Sequence, residues 1–383
     1  MMIRILTTTL LYLLFLHVIF TTIISYEILD SNNSFQKELL LTKIEEYAKR
    51  YYELKAEDQY VVNQDLKKEI ANIKTTYKSS VTTYEHLLKL KEISKNTQVF
   101  DNQFTKALLY LQDENWASGE AELQSLNTAI TKEQDKIVAS FVIPATAPVS
   151  NQPPGAGYSS QQVSSEVGNF LVSLVAGDIS STRVIVDTAS EGTCANDCPV
   201  LSLGDYVSRN GAYAGINGSY FCPASYPSCA GKTNSFDTLL MNKNKVYFNS
   251  DNNVYSTVPA VIFGSSWIRF VGQSHEWGRD TGIDSMIANQ PLLLMGNNVM
   301  FTGDGDPKKG GKGARSFVAN KGNTVYIGVV YNATVAEAAY ALKALGMENA
   351  INLDSGGSTA LWSGGYKVGP GRNIPNAILF VRK

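Results

Sequence analysis

The residues best suited to chemistry in this 383-residue chain lie in INLDSGGSTALW, Ile351 to Trp362. An aliphatic run leads into one carboxylate, Asp354, followed by Ser355, Gly356, Gly357, Ser358 and Thr359. Adjacent glycines let the backbone take positive φ and bring its N–H groups close to a ligand, while the hydroxyls add donors. Such a turn suits an anionic or polyhydroxy ligand, with the carboxylate at its edge. The plain alternative is a glycine turn in which Asp354 is only a cap. Two further segments set polar groups beside apolar runs. GINGSYF, Gly215 to Phe221, supplies Asn217 and Gly218, and GARS, Gly313 to Ser316, places Arg315 just before a strand-like run from Phe317. The planar fork of an arginine suits phosphate; a solvated surface arginine is the alternative.

Asp354 needs a rigid mount, and the residues before it read as one. Thr324 to Tyr331 is strand-like, Thr334 with Glu337 forms a capping box, and Val335 to Leu345 has helical composition closed by Gly346. Ala350 to Leu353 then resumes as a buried strand, so Asp354 falls where a strand ends in a β-α-β unit, the edge at which open sheets bind ligands. Phe170 to Ala176, Thr182 to Asp187, Lys245 to Phe248, Ala260 to Phe263 and Trp267 to Val271 read as further strands. Upstream the composition changes. Residues 34–138 are rich in lysine and glutamate, and Leu66, Ile70, Ile73, Tyr77, Val81, Tyr84 and Leu88 recur at steps of three and four. That stripe predicts long helices, either an intramolecular bundle or a coiled coil that makes a homo-oligomer. Residues 139–168 are rich in Pro, Gly and Ser and read as a linker. The fold expected is therefore a mixed α+β catalytic domain, 169–383, preceded by an all-α region and, at 1–26, a membrane anchor.

The anchor rests on Ile5 to Ile24, almost wholly apolar, with Arg4 before it and Glu27 and Asp30 after it. About 20 such residues suffice to cross a bilayer as a helix, and no A-x-A cleavage site follows. An uncleaved signal anchor fits better than a removed signal peptide, and either exports the remainder. Export bears on the cysteines: Cys194 with Cys198 and Cys222 with Cys229 make two local disulfides the simplest of three connectivities. The rival, a four-cysteine zinc site, lacks the usual C-x2-C spacing. A formal net charge of -2 offers no basic field for phosphate backbones, which argues against nucleic acid as a partner. His275 is the only histidine beyond residue 168, which excludes a multi-histidine metal site there, and Ser358 lacks the G-x-S-x-G elbow. Asp304 and Asp306 invite calcium, but no glutamate completes the EF-hand spacing, so no cofactor is expected. Lys308, Lys309 and Lys312 in the same loop would attract phosphate; a solvated hairpin is the alternative.

Taken together, Asn217 to Phe221, Arg315 and Asn352 to Thr359 resemble, in the same order, the motifs of the phosphodiester glycosidase family, that of the N-acetylglucosamine-1-phosphodiester alpha-N-acetylglucosaminidase. There the closing motif resembles NLDGGGST and the early one NGGFF; Arg372 to Ala377 resembles a tail R-x-V-x-N-A. The resemblance covers roughly Phe170 to Lys383, with Ser355, Ser219 and Tyr220 as departures. It implies a hydrolase of sugar-1-phosphodiesters in surface glycans, tethered to the membrane with its domain outside the cytoplasm. Catalytic roles fall to Asp354, Arg315 and Asn217. Gly218, Ser355, Gly356, Gly357, Ser358, Thr359 and Arg372 are expected to touch substrate, and His275, in SHEWG, to border the pocket. A glycosyl phosphate is already a good leaving group, so charge neutralisation matters more than a general acid. Arg315 would supply it, Asp354 would activate water or stabilise positive charge on the sugar, and Asn217 would hold a sugar hydroxyl or the phosphate. The alternative from a different class is a non-catalytic glycan-binding protein on the same fold.

Overall fold

The computed structural model describes residues 13–22, 34–56, 58–251 and 256–383. Most of Ile5 to Ile24 lies outside them; residues 13–22 are helical, and among the described residues no helix is long and apolar enough to cross a membrane. The chain divides into two compact units, Met1–Thr75 and Thr76–Lys383. The first contains α1 (Ser34–Ala56) and the start of α2 (Asp58–Ile93), where Leu66, Ile70 and Ile73 are exposed.

In the second unit the end of α2 packs with α3 (Gln98–Gln112) and α4 (Trp116–Ser140). Leu87, Leu90, Leu126 and Ile130 form the buried seam, flanked by Phe100 and Phe104. Of the two arrangements the apolar stripe allows, these residues adopt the intramolecular bundle. His86 sits on the seam, bonded to Asn127 at 2.9 Å.

The rest is antiparallel sheet. One seven-stranded sheet runs β1 (Gly157–Ser165), β2 (Gly168–Asp178), β13 (Thr324–Ala333), β12 (Gly313–Lys321), β14 (Asn349–Asn352), β10 (Leu292–Met295), β11 (Asn298–Val299). A second runs β16 (Tyr366–Val368), β15 (Leu361–Ser363), β4 (Ala214–Asn217), β17 (Asn376–Arg382), β3 (Thr182–Thr188). The third runs β6 (Tyr247–Phe248), β5 (Leu240–Met241), β9 (Ser285–Ala288), β7 (Ala260–Phe263), β8 (Ile268–Val271). All three sheets contribute to one core, through Val175 and Val318, Ile216 and Ile378, and Leu240 and Ile287. Each side chain is fully buried there and contributes about 1.5–3 kcal/mol of transfer free energy.

Two expectations change. The linker is partly strand: β1 pairs with β2 over its whole length, because Val163 alternates inward and is fully buried although its neighbours are serine and glutamine. The β-α-β unit is split. β13 and β14 run parallel, but β12 lies between them and bonds antiparallel to both. Helix α7 (Val335–Ala344), following α5 (Leu203–Asn210) and the short α6 (Pro307–Gly310), makes the crossover; its capping box is formed and Gly346 takes positive φ. Its buried face, with Ala338, Ala341 and Leu342, packs on the outer side of the seven-stranded sheet.

Candidate active site

The site forms where β14 of the first sheet and β4 of the second both end. β4 delivers Asn217 and β14 delivers Asp354, and the two ends are tied reciprocally: Asn217 Nδ2 donates to the Asp354 carbonyl at 2.6 Å, and the Asp354 N–H donates to the Gly218 carbonyl at 2.9 Å. Asn217 Oδ1 accepts from Ser316 Oγ at 3.0 Å and from the Ala360 N–H at 3.1 Å. With no exposure and these bonds made, Asn217 holds the junction together. Gly218 is equally committed, because a Cβ there would lie 1.9 Å from Asn376 Oδ1.

Asp354 keeps some exposure, yet protein surrounds its carboxyl closely. Burial, which disfavours the charged form, raises it from 3.8 to about 7; donation from the Ser358 hydroxyl and the Ser355 N–H, at 2.9 Å, opposes this only in part. It is therefore a carboxyl balanced between acid and base near neutral pH. Tyr220 stands beside it: burial first, then Asp354, pushes its hydroxyl up, so it stays protonated. Asn352 Nδ2 donates to that hydroxyl at 2.6 Å, and Asn289 Oδ1 takes the Tyr220 N–H at 3.0 Å. Arg315 opposes that rise and Asp306 adds to it. Arg315 is buried, and desolvation draws its pKa down. Its Nε donates to the Ala333 carbonyl at 3.0 Å and its Nη2 to the carbonyls of Lys308, at 3.2 Å, and Gly311. Nη2 thus staples the 303–313 loop and Nε the end of β13, leaving Nη1 for other work.

Beyond Asp354 the turn is a tight 3₁₀ turn, Gly356–Ser358, with Gly356 at positive φ. Ser355 Oγ braces β12 by accepting the Ser316 N–H at 3.3 Å. Thr359 is buried, and its hydroxyl has no hydrogen-bond partner among the described residues. Arg372 reaches the turn from the chain before β17; its N–H donates to the Gly357 carbonyl at 2.8 Å, and its guanidinium lies over the Tyr226 ring. A cavity of about 590 Å³ opens here, lined among others by Phe221, Asn234, Gly357, Arg372 and, from α2, Glu92.

Asp354, Arg315, Ser355, Gly356, Gly357, Ser358 and Arg372 thus converge. His275 does not. It is exposed in a 3₁₀ turn, Ser274–Trp277, beside β8, bonded to the Ser256 carbonyl at 3.3 Å. Both cysteine pairs are disulfides, Cys194–Cys198 and Cys222–Cys229, which removes the zinc alternative. In the 303–313 loop, Lys309 pairs with Asp304 and, at 3.7 Å, with Asp306, while Lys312 pairs with Glu337 at 3.2 Å. Asn289, Asn376, Tyr226 and Glu92 escaped the sequence reading. Each is an isolated polar residue whose partner lies far along the chain; only the N-A of the tail hinted at Asn376.

A strand-end carboxyl poised near neutrality thus stands beside a glycine turn on an antiparallel β domain. Residues 210–381 match the family model described as phosphodiester glycosidase, so the resemblance carried by the motifs holds for the C-terminal domain. No curated protein matches the chain. Among solved structures, the chain is similar to a protein from Synechocystis, at 13% identity and a TM-score of 0.43, covering 59% of this chain and 62% of that one. It is also similar to the zebrafish N-acetylglucosamine-1-phosphodiester alpha-N-acetylglucosaminidase catalytic domain, described as auto-inhibited by its pro-peptide. Identity there is 16% and the TM-score 0.47, covering 62% of this chain and 87% of that one. At these values neither likeness carries activity or substrate over to this chain.

Proposed function

We propose that this protein is a phosphodiester glycosidase that hydrolyses sugar-1-phosphodiesters, of the N-acetylglucosamine-1-phosphodiester kind, in surface glycans or glycoconjugates. The observation that carries the reading is Asp354, raised to about 7 at the meeting of two strand ends and set against a glycine turn. A general base works best when its pKa lies near the working pH. Ionised Asp354 takes a proton from water as the water oxygen attacks the anomeric carbon. The carbon–oxygen bond breaks, its electron pair leaves with the phosphate, and sugar and phosphomonoester are the products. Arg315 contributes field and loop order, with Nη1 as its remaining donor edge. Asn217 keeps Asp354 in place rather than binding sugar. The paired cysteines and the family support a domain outside the cytoplasm, and the apolar run from Ile5 to Ile24 would tether it to a membrane. Glu92, which lines the cavity and bonds the Gly357 N–H, favours, as a second reading, a glycan-binding protein without turnover.

The test is hydrolysis of a synthetic N-acetylglucosamine-1-phosphodiester by the full chain, with Asp354→Asn and Arg315→Ala proteins alongside, in water enriched in oxygen-18. Turnover lost in both variants, with the label in the sugar, supports the glycosidase. Label in the phosphate would reject attack at the anomeric carbon, and no turnover across a panel of sugar phosphodiesters would favour the binding protein.

A further inference from the structure

Glu92 sits in the last turn of α2, where the carbonyl end of the helix dipole opposes a carboxylate. Its partners must therefore come from elsewhere, and they all belong to the glycine turn and its surroundings. Glu92 Oε2 accepts the Gly357 N–H at 2.8 Å; Oε1 accepts from Arg372 Nη2, in an ion pair whose two side chains are each 22% exposed, and from the Tyr226 hydroxyl at 3.4 Å. A Cβ on Gly357 would lie 2.2 Å from Arg372 Nη2 and 2.6 Å from Glu92 Cδ, so the bare glycine lets both side-chain ends reach the turn as they stand. One backbone N–H, one guanidinium and one phenol converge on two oxygens of a single anion, a donor set suited to a tetrahedral oxyanion as well as to a carboxylate. The helix is also held in register. Glu85, two turns earlier on the same face, accepts the Ser228 N–H at 2.9 Å, from a turn anchored by the Cys222–Cys229 disulfide. Open cavity continues beside the ion pair, past Phe221 and Asn234, with space for the remainder of a ligand.

We propose that the Gly357 N–H, Arg372 and Tyr226 form an oxyanion subsite for the phosphate of an anionic glycan, and that Glu92 fills it in the resting protein as an internal competitor. Naming the ligand a glycosyl phosphate rests on the glycosidase reading; the subsite itself rests on the geometry. Phosphate recognition thus shifts from Arg315, largely spent on backbone carbonyls, to Arg372. Substrate must displace a helix-borne carboxylate to bind.

Calorimetric titration of the full chain with inorganic phosphate tests this, using the parent, Glu92→Gln, Glu92→Ala and the double variant Glu92→Gln with Arg372→Gln, each checked for native circular dichroism. Removing the competing charge should tighten phosphate binding roughly tenfold or more in both single variants, as expected from the loss of a charge-assisted contact, and adding Arg372→Gln should abolish the gain. Equal affinity in the parent and both Glu92 variants, absence of phosphate binding in all of them, or binding that survives Arg372→Gln would overturn the subsite. Steady-state assays separate it from the glycosidase reading. A gain in phosphate affinity without turnover keeps the subsite and removes the enzyme, whereas turnover with a KM untouched by Glu92→Gln keeps the enzyme and removes the subsite. If both hold, Glu92→Gln lowers KM and leaves kcat unchanged.

Discussion

Replacing Asp354 with asparagine should stabilise the protein, and the effect should depend on pH in a defined direction. Burial raises this carboxyl from 3.8 to about 7. Between those values the folded chain retains a proton that the unfolded chain has released, so stability falls as pH rises through that window. Each tenfold change in proton affinity is worth about 1.4 kcal/mol, so ionising Asp354 in place costs about 4 kcal/mol above pH 7. Asparagine keeps an oxygen for the Ser355 N–H and the Ser358 hydroxyl but has no charge to desolvate. Urea unfolding followed by tryptophan fluorescence suits the measurement, because Trp267, Trp277 and Trp362 all lie within the β-rich part. The Asp354→Asn protein should match the parent at about pH 4 and exceed it by up to about 4 kcal/mol at pH 8, or about 10 °C in Tm. Activity should be lost at both. A stability difference independent of pH, or an asparagine protein weaker than the parent at pH 8, would refute the assignment of Asp354 as a carboxyl raised by burial.

Other consequences follow from the same geometry. If ionised Asp354 is the general base, kcat/KM should rise with pH and level off above about 7; a fall across that range would make it the acid instead. Asn217→Ala strips partners from the buried Ala360 N–H and Ser316 hydroxyl, so it should cost about 2–4 kcal/mol in urea unfolding and most of the activity together. An Asn217→Ala protein that loses activity with full stability would instead place Asn217 in contact with substrate. Reducing Cys222–Cys229, which closes a loop of sequence separation 7, should lower stability by about 2–3 kcal/mol on the chain-entropy account and loosen the turn that receives Glu85. Unchanged unfolding in dithiothreitol would remove that role.

What the sequence revealed of the fold and site divides along a physical line. Features fixed by local rules were legible: the capping box at Thr334 and Glu337, the positive-φ Gly346, the end of β14 at Asn352, and the near-neighbour cysteine pairs. Features that depend on which strands become neighbours were not. Nothing in Thr324 to Leu353 tells that β12, an earlier segment, inserts between β13 and the strand its helix leads to; that order is a property of the whole sheet. β1 was hidden for the same reason, since a strand rich in serine and glutamine buries Gln161 and Val163 only when β2 lies beside it. The site shows the sharper form of this limit. Asp354 could be found because motif and strand end coincide, but its protonation is set by burial, which is a sum over distant segments. Arg315 stands out in GARS, yet its hydrogen bonds to Ala333, Lys308 and Gly311 depend on loop closure and could not be read there. Glu92 is the extreme case. In the sequence it is one glutamate in a charged helix, 265 residues from the Gly357 N–H it accepts; its register, four residues past Leu88, continues the apolar stripe, but nothing local names its partner. The helical region, read from its apolar stripe as a bundle or coiled coil, docks the last turn of α2 onto the glycine turn, a contact that no local pattern announces.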